Sequence, residues 1–316
     1  MNMIKKAICT SVVLFLLFTL PACSSKTQPV SNKENFITVV DSRSQEISLP
    51  SKPKHTVVLT SSLMEIQHAV GGDFDAWADS INAPVPDYAK GKKTVGHTYR
   101  VNPEILISLK PDLVIGLNGL HNGLEQVLKE NSIPFVLLTL SSYEDVRKAV
   151  MIMADMSGNH SSGVEVLQKM DKSMEETVNR IPKDHFTFAV IHGTGKSISV
   201  ERPGSIACDT ALRLGFKNAF PEIQGDKMNT TAPFSMEALV KADPDIIFLT
   251  TMVTPGREQE VFQASLVSHP AWESLKAVKT GRVYYLPQQL FLTSPGIHYP
   301  DALKFMASLV YSDMDW

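Results

Sequence analysis

From Phe36 onward, short apolar runs alternate with longer amphipathic stretches, and this alternation decides the fold class. Strand candidates are 37–40, 56–59, 76–78, 113–115 and 135–138, with helix candidates 64–70, 103–108 and 124–130 between them. A second set follows: strands at 186–191, 197–200, 246–249 and 283–286, and helices near 207–214, 236–241 and 300–311. Strands that alternate with helices predict α/β units with mainly parallel sheets, here in two sets and so in two lobes.

Two lobes need a connector. Residues 142–155 read as a helix opened by Ser142, with Asp145 three residues on as a capping-box partner. Gly158-Asn159-His160 breaks it. Residues 161–180 then carry Val164, Leu167, Met170, Met174, Val178 and Ile181 at spacings of three or four, one apolar face of a long helix. Pro182 ends that helix. The predicted organisation is residues 36–158 as the N-terminal lobe, 159–182 as the connecting helix and 183–316 as the C-terminal lobe. A chain of 316 residues has enough length for two packed domains.

An internal echo relates the halves. Residues 104–115, EILISLKPDLVI, match residues 237–248, EALVKADPDIIF. In both, a helix headed by Glu104 or Glu237 runs into Pro-Asp and then a buried strand. Proline and its predecessor stop the helix, and a glutamate near a helix start is favoured by the helix dipole.

The first segment points to export. Lys5 and Lys6 precede an apolar run from Ala7 to Leu20, followed by Leu20-Pro21-Ala22-Cys23 and polar residues. A basic start, a short apolar core and a small residue before the cut describe a secretory signal over residues 1–22. The run is too short for a comfortable membrane span. The Leu20–Cys23 stretch resembles the lipobox of bacterial lipoproteins, which implies that Cys23 carries a lipid and becomes the N-terminus. Residues 23–35 are polar, contain Pro29 and read as a flexible tether. The implied location is the extracytoplasmic face of the cell membrane, by a lipid anchor. Cys208 alone remains in the body, so no disulfide forms within it. Without residues 1–22, 28 basic and 33 acidic side chains remain, which argues against nucleic acid as a partner.

Several further segments carry a family resemblance: Val57-Val58-Leu59, Val95-Gly96, Pro103-Glu104 to Ile115, Ser235-Met236-Glu237 to Ile247, and Leu275 to Lys279 with Gly281-Arg282-Val283-Tyr284. In this order and spacing, behind a lipoprotein signal, the chain resembles the class III substrate-binding proteins of ABC importers, the receptors for iron–siderophore complexes, haem and vitamin B12. That resemblance implies two Rossmann-like lobes joined by one rigid helix, with the ligand in the cleft between them. It implies a monomer that performs no chemistry, holds no intrinsic cofactor, and delivers an iron or cobalt complex to a permease and its ATPase. It also implies that Glu104 and Glu237, one per lobe, dock onto arginines of the permease.

In open parallel sheets, ligands bind outside the C-terminal ends of strands. By that rule the first lobe offers Ser61 and Ser62 beside Thr60, then Asp79 and Ser80, then His97, Tyr99 and Arg100, then Asn118 beside Leu117. The second lobe offers His192 beside Gly193 and Thr194, then Arg202, then Met252 beside Thr251, and Phe291. Haem-binding members of the resembled class place an iron-ligating tyrosine after the glycine equivalent to Gly96. His97 occupies that position here, which makes it the candidate metal ligand. Arg100 and Arg202 suit bidentate contact with ligand carboxylates. His298-Tyr299 precedes Pro300 and a terminal amphipathic helix, where packing is the expected role.

Other chemistries lack their residues. His192-Gly193-Thr194-Gly195-Lys196-Ser197 has Val190 where a phosphate-binding loop needs its first glycine. No Cys-x-x-Cys, His-Glu-x-x-His or Gly-x-Ser-x-Gly occurs. The alternatives carried forward are a corrinoid receptor of the same class and an exported enzyme on a two-lobed scaffold.

Overall fold

A computed structural model describes residues 35–80, 85–195, 197–221, 230–253 and 256–316. The export signal, Cys23 and the tether up to Glu34 lie outside the described residues.

The strands are β1 Ile37–Val40, β2 Glu46–Leu49, β3 Thr56–Val58, β4 Ala76–Asp79, β5 Lys93–His97, β6 Arg100–Val101, β7 Leu113–Leu117, β8 Phe135–Leu138, β9 Thr187–Gly193, β10 Ile198–Glu201, β11 Lys217–Asn218, β12 Thr231–Pro233, β13 Ile246–Thr251 and β14 Val283–Leu286. The α-helices are α1 Ser61–Ala69, α2 Pro103–Ser108, α3 Glu125–Glu130, α4 Tyr143–Met156, α5 His160–Arg180, α6 Ile206–Arg213, α7 Met236–Ala242, α8 Glu258–Phe262, α9 Lys276–Lys279, α10 Gln288–Phe291 and α11 Tyr299–Val310.

Two separate six-stranded sheets form. The first runs β6-β5-β4-β3-β7-β8, parallel except for the short hairpin return β6. The second runs β12-β10-β9-β13-β14, with β11 beside the start of β9. Its β9, β11, β13 and β14 are parallel, while β10 returns antiparallel, with the Thr194 amide donating to Ser197 O at 2.9 Å. That return is what the glycine-rich 193–195 segment builds. It leads into a strand, whereas a phosphate-binding loop leads into a helix.

The strands read as apolar runs because both faces are covered. On β13, Phe248 joins a core shared with Phe188 and Val190, while Ile247 and Leu249 face the outer helices. The shared core extends through α1, α4, α5, α6 and α11 to Val58 and Ile115 of the first sheet, so both lobes contribute to one apolar mass.

The echo is structural. Lys110 at φ 48° and Asp243 at φ 38° end α2 and α7 six residues after their glutamates. Asp112 then accepts the amides of Lys54 and His55 at 2.8 and 2.9 Å, and Asp245 accepts the amide and hydroxyl of Thr187 at 2.7 and 2.8 Å. In each lobe this aspartate ties the entry of one central strand, β7 or β13, to that of its neighbour, β3 or β9.

Ser142 caps α4, with the Asp145 amide 3.2 Å from its hydroxyl and the Asp145 carboxylate accepting from that hydroxyl at 2.9 Å. The connector α5 buries Gly163, Leu167, Met170, Met174 and Thr177. Val164 and Val178, expected on that face, are instead 37% and 38% exposed. Gly163 takes the inner position because α4 lies too close for a larger residue. A Cβ there would sit 2.6 Å from Ala154 Cβ.

The first strand candidate is also placed differently. β1 pairs antiparallel with β2, a hairpin outside both main sheets. It covers the edge of β8: Ser42 donates to Leu137 O at 2.9 Å, and Leu137 N donates to the buried Asp41 at 3.2 Å. An open strand edge is thereby closed.

Candidate functional site

Two connections join the lobes near the C-terminal edge of the first sheet. The chain leaving β14 runs through 287–298 to that edge, where Ser294 donates to Leu140 O at 3.3 Å and Gly296 packs on Ser62. From the first lobe, the amide of Tyr143, just past β8, donates to Asp209 in α6 at 3.0 Å. α6 follows β10, which runs antiparallel to β9 and so back from the C-terminal edge of the second sheet.

On the first edge, a hydrogen-bonded chain links four strand ends. The Ser61 hydroxyl meets Ser80 Oγ at 2.8 Å, and Ser80 Oγ lies 3.3 Å from Thr98 Oγ1. The Thr98 carbonyl is 2.9 Å from His121 Nε2, and the Leu117 amide donates to His121 Nδ1 at 2.9 Å. Because Nδ1 accepts from an amide, the ring proton is on Nε2 and donates to Thr98. Burial holds the pKa of His121 below its usual value, against the opposing pull of the Thr98 carbonyl. Gly116 leaves room for the ring, since a Cβ there would stand 3.1 Å from Nδ1.

This chain fixes the turn between β5 and β6. Gly96 sits at φ +102°, where a Cβ would come within 2.6 Å of Arg100 O. The turn backbone is therefore immobilised while His97, Tyr99 and Arg100 project as exposed side chains, Tyr99 by 59%. His121 was not singled out from the sequence, because nothing local marks a histidine that bonds a loop twenty-three residues away.

On the second edge, β9, β13 and β10 bring together His192, Thr250 and Glu201. Thr250 Oγ1 is 3.0 Å from His192 Nδ1 and 2.5 Å from Glu201 Oε1. Glu201 is buried, 4% exposed, and its Oε2 has no hydrogen-bond partner. Burial raises its pKa, opposed by the hydroxyls of Ser205 and Thr250. Burial lowers the pKa of His192. The buried Arg202 Nε and Thr251 Oγ1 also lack partners.

The remaining predicted residues divide. Asn118 is half-buried and lies 3.5 Å from Thr139 Oγ1. Met252 is 50% exposed at the end of β13. Ser62 is 5% exposed, its hydroxyl 3.2 Å from Thr60, and it forms part of the seam between the lobes. Phe291 is 1% exposed and packs on Phe305, so it belongs to the core and is withdrawn from the lining. Among the described residues, no group of three or more His, Cys, Asp or Glu side chains is arranged to hold a metal ion.

Glu104 and Glu237 are exposed, each in the first turn of its helix. α2 follows the short return strand β6, with the Asn102 amide donating to Val95 O at 2.8 Å, and α7 follows β12. A depression of about 480 Å³ lies beside Glu104, lined by Gly96, Arg100, Val101, Asn102, Pro103 and Ile105.

Residues 57–290 match the family model described as periplasmic binding protein. The chain is 25% identical over 301 residues to the putative ABC transporter substrate-binding lipoprotein YhfQ of Bacillus subtilis (strain 168), covering 91% of this chain and 92% of that one. It is 26% identical over 301 residues to the probable siderophore-binding lipoprotein YfiY of the same organism, covering 90% and 92%. Its fold is similar to the crystal structure of an ABC transporter substrate-binding protein from Listeria monocytogenes EGD-e, with a TM-score of 0.73 and 20% identity over 83% of this chain and all of that one.

Proposed function

Because the chain belongs to the periplasmic binding protein family, with residues 57–290 matched, we propose that it captures an iron complex outside the cytoplasm and hands it to the permease of an ABC importer. The observation that carries this reading is that each lobe holds polar side chains at its strand ends by buried hydrogen bonds. A preorganised site loses less entropy on binding. The name of the siderophore-binding relative supports iron as the cargo.

In this reading His97, Tyr99, Arg100, Ser61 and Asn118 contact the ligand from one lobe, and His192, Arg202 and Met252 from the other. Arg100 and Arg202 meet carboxylate or other anionic oxygens. His97 contacts the metal only where the chelator leaves a site open. Residues 36–158 and 183–316 act as the two lobes and 159–182 as the strut between them. A lipid on Cys23 keeps the receptor at the membrane. No helix among the described residues is long and apolar enough to cross one.

The test is titration of the purified body, without its signal, with ferric citrate, ferric hydroxamate siderophores, haemin and cobalamin. The expected result is saturable thermal stabilisation by one ferric chelate, without turnover. Stabilisation by cobalamin alone would favour the corrinoid reading. Conversion of a ligand to product would replace both with an enzyme.

Glu104 and Glu237 dock the receptor. Two carboxylates on a stiff body, one per lobe, set orientation as well as encounter rate. Reversing both to lysine is expected to leave ligand affinity unchanged and to lower uptake at least tenfold in cells. Normal uptake by the double variant would remove the docking role.

A further inference from the structure

The second-lobe triad holds information about hydrogen-bond direction that the residue types alone do not. Thr250 Oγ1 sits between His192 Nδ1 and Glu201 Oε1 at 3.0 and 2.5 Å. A hydroxyl has one proton to give. It therefore gives to Glu201 and receives from His192, or receives from Glu201 and gives to His192.

The surroundings of Glu201 decide between the two. From β9 it faces His192, from β13 Thr250, and from α6 the Ser205 hydroxyl and the Cys208 thiol. Among the described residues, no lysine or arginine nitrogen pairs with it. His192 Nδ1 stands 3.8 Å away, and burial of that ring favours its neutral form over a charged partner for Glu201. A buried carboxylate with one oxygen unpartnered, and with no lysine or arginine paired to it among the described residues, takes up a proton instead of staying charged.

We propose that Glu201 stands as a neutral carboxylic acid that donates to Thr250, which donates to His192 Nδ1, so that His192 offers an N–H at Nε2 to an acceptor oxygen on the ligand. Glu201 is thus a positioning residue acting through Thr250. The consequence rests on the iron-complex reading and narrows it. The favoured cargo has its metal already saturated by its chelator, with carboxylate or hydroxamate oxygens turned outward. A haem whose iron needs an axial nitrogen from this lobe finds none at His192.

The experiment is long-range nitrogen–proton correlation of histidine-labelled, ligand-free protein at pH 7, with His192 assigned by its absence from H192Q. The expected spectrum shows the Nε2–H tautomer. Glu201→Gln retains a donor to Thr250 and is expected to keep that tautomer. Thr250→Val removes the relay and is expected to give a mixture. A His192 ring protonated at Nδ1 in the unaltered protein would overturn the proposal, as would a switch to Nδ1–H in Glu201→Gln. So would a haemin Soret shift that H192Q abolishes. The tautomer is read without ligand, so its outcome is separate from whether any iron complex binds.

Discussion

At the residue scale, the buried His121 ties the β5–β6 turn to the end of β7. It must be neutral to accept the Leu117 amide. The unfolded chain titrates near 6.5, and the folded ring titrates below that. Between the two values the unfolded state binds the extra proton. Stability is therefore full above about 6.5 and falls as the pH drops through the folded value. His192 shifts in the same direction, so urea midpoints of His121→Gln against the unaltered protein isolate one ring. The variant is expected to show a smaller loss between pH 7.5 and 5.5. At pH 7.5 it is expected to be less stable by about 1–3 kcal/mol, since it strands a buried amide and a carbonyl. An unchanged pH slope would remove His121 as the cause. The strand ends that carry His97, Tyr99, Arg100 and Asn118 were legible from the sequence, because strand boundaries give a local and repeated signal. His121 and Glu201 were not, because a buried polar side chain declares itself only through partners distant in sequence.

At the element scale, the approach of α5 to α4 sets two opposing effects at Gly163. Alanine in a helix interior gains about 1 kcal/mol over glycine from propensity. Against it stands a Cβ placed 2.6 Å from Ala154 Cβ, an overpacking that costs about 1–3 kcal/mol. The expected balance is that Gly163→Ala lowers stability, read as a lower urea midpoint, while Val164→Ala on the exposed face stays within about 0.5 kcal/mol. A stabilised Gly163→Ala would mean the two helices separate easily. The period of the helix was readable from its apolar residues, but the rotation of its buried stripe was not. Glycine and threonine carry no hydrophobic signal, and they are buried here because of what lies opposite. The β1–β2 hairpin was missed for a related reason. Its pairing is directed by Asp41 and Ser42 reaching β8, about a hundred residues on.

At the scale of the whole molecule, the lobes are held by more than the connector. Asp209 accepts from the Tyr143 amide, from the Tyr299 hydroxyl and from Arg213 Nε at 2.8 Å. Tyr143 in turn donates to Asp171 of α5 at 2.7 Å, and Arg213 lies over its ring at 4.9 Å. Four helices, α4, α5, α6 and α11, meet at this one carboxylate and its neighbours. Asp209→Ala is expected to broaden the distribution of distances between spin labels at Lys129→Cys and Lys241→Cys, one on each lobe. An unaltered distribution would show that the shared apolar core alone fixes the spacing. Residues 294–310 complete this arrangement, and they are translated only after both sheets. Each sheet can collapse on its own strands during synthesis or passage across a membrane, yet the contacts that join the lobes are complete only when that late stretch arrives. A receptor assembled in this order stays unable to grip its cargo until that stretch has emerged.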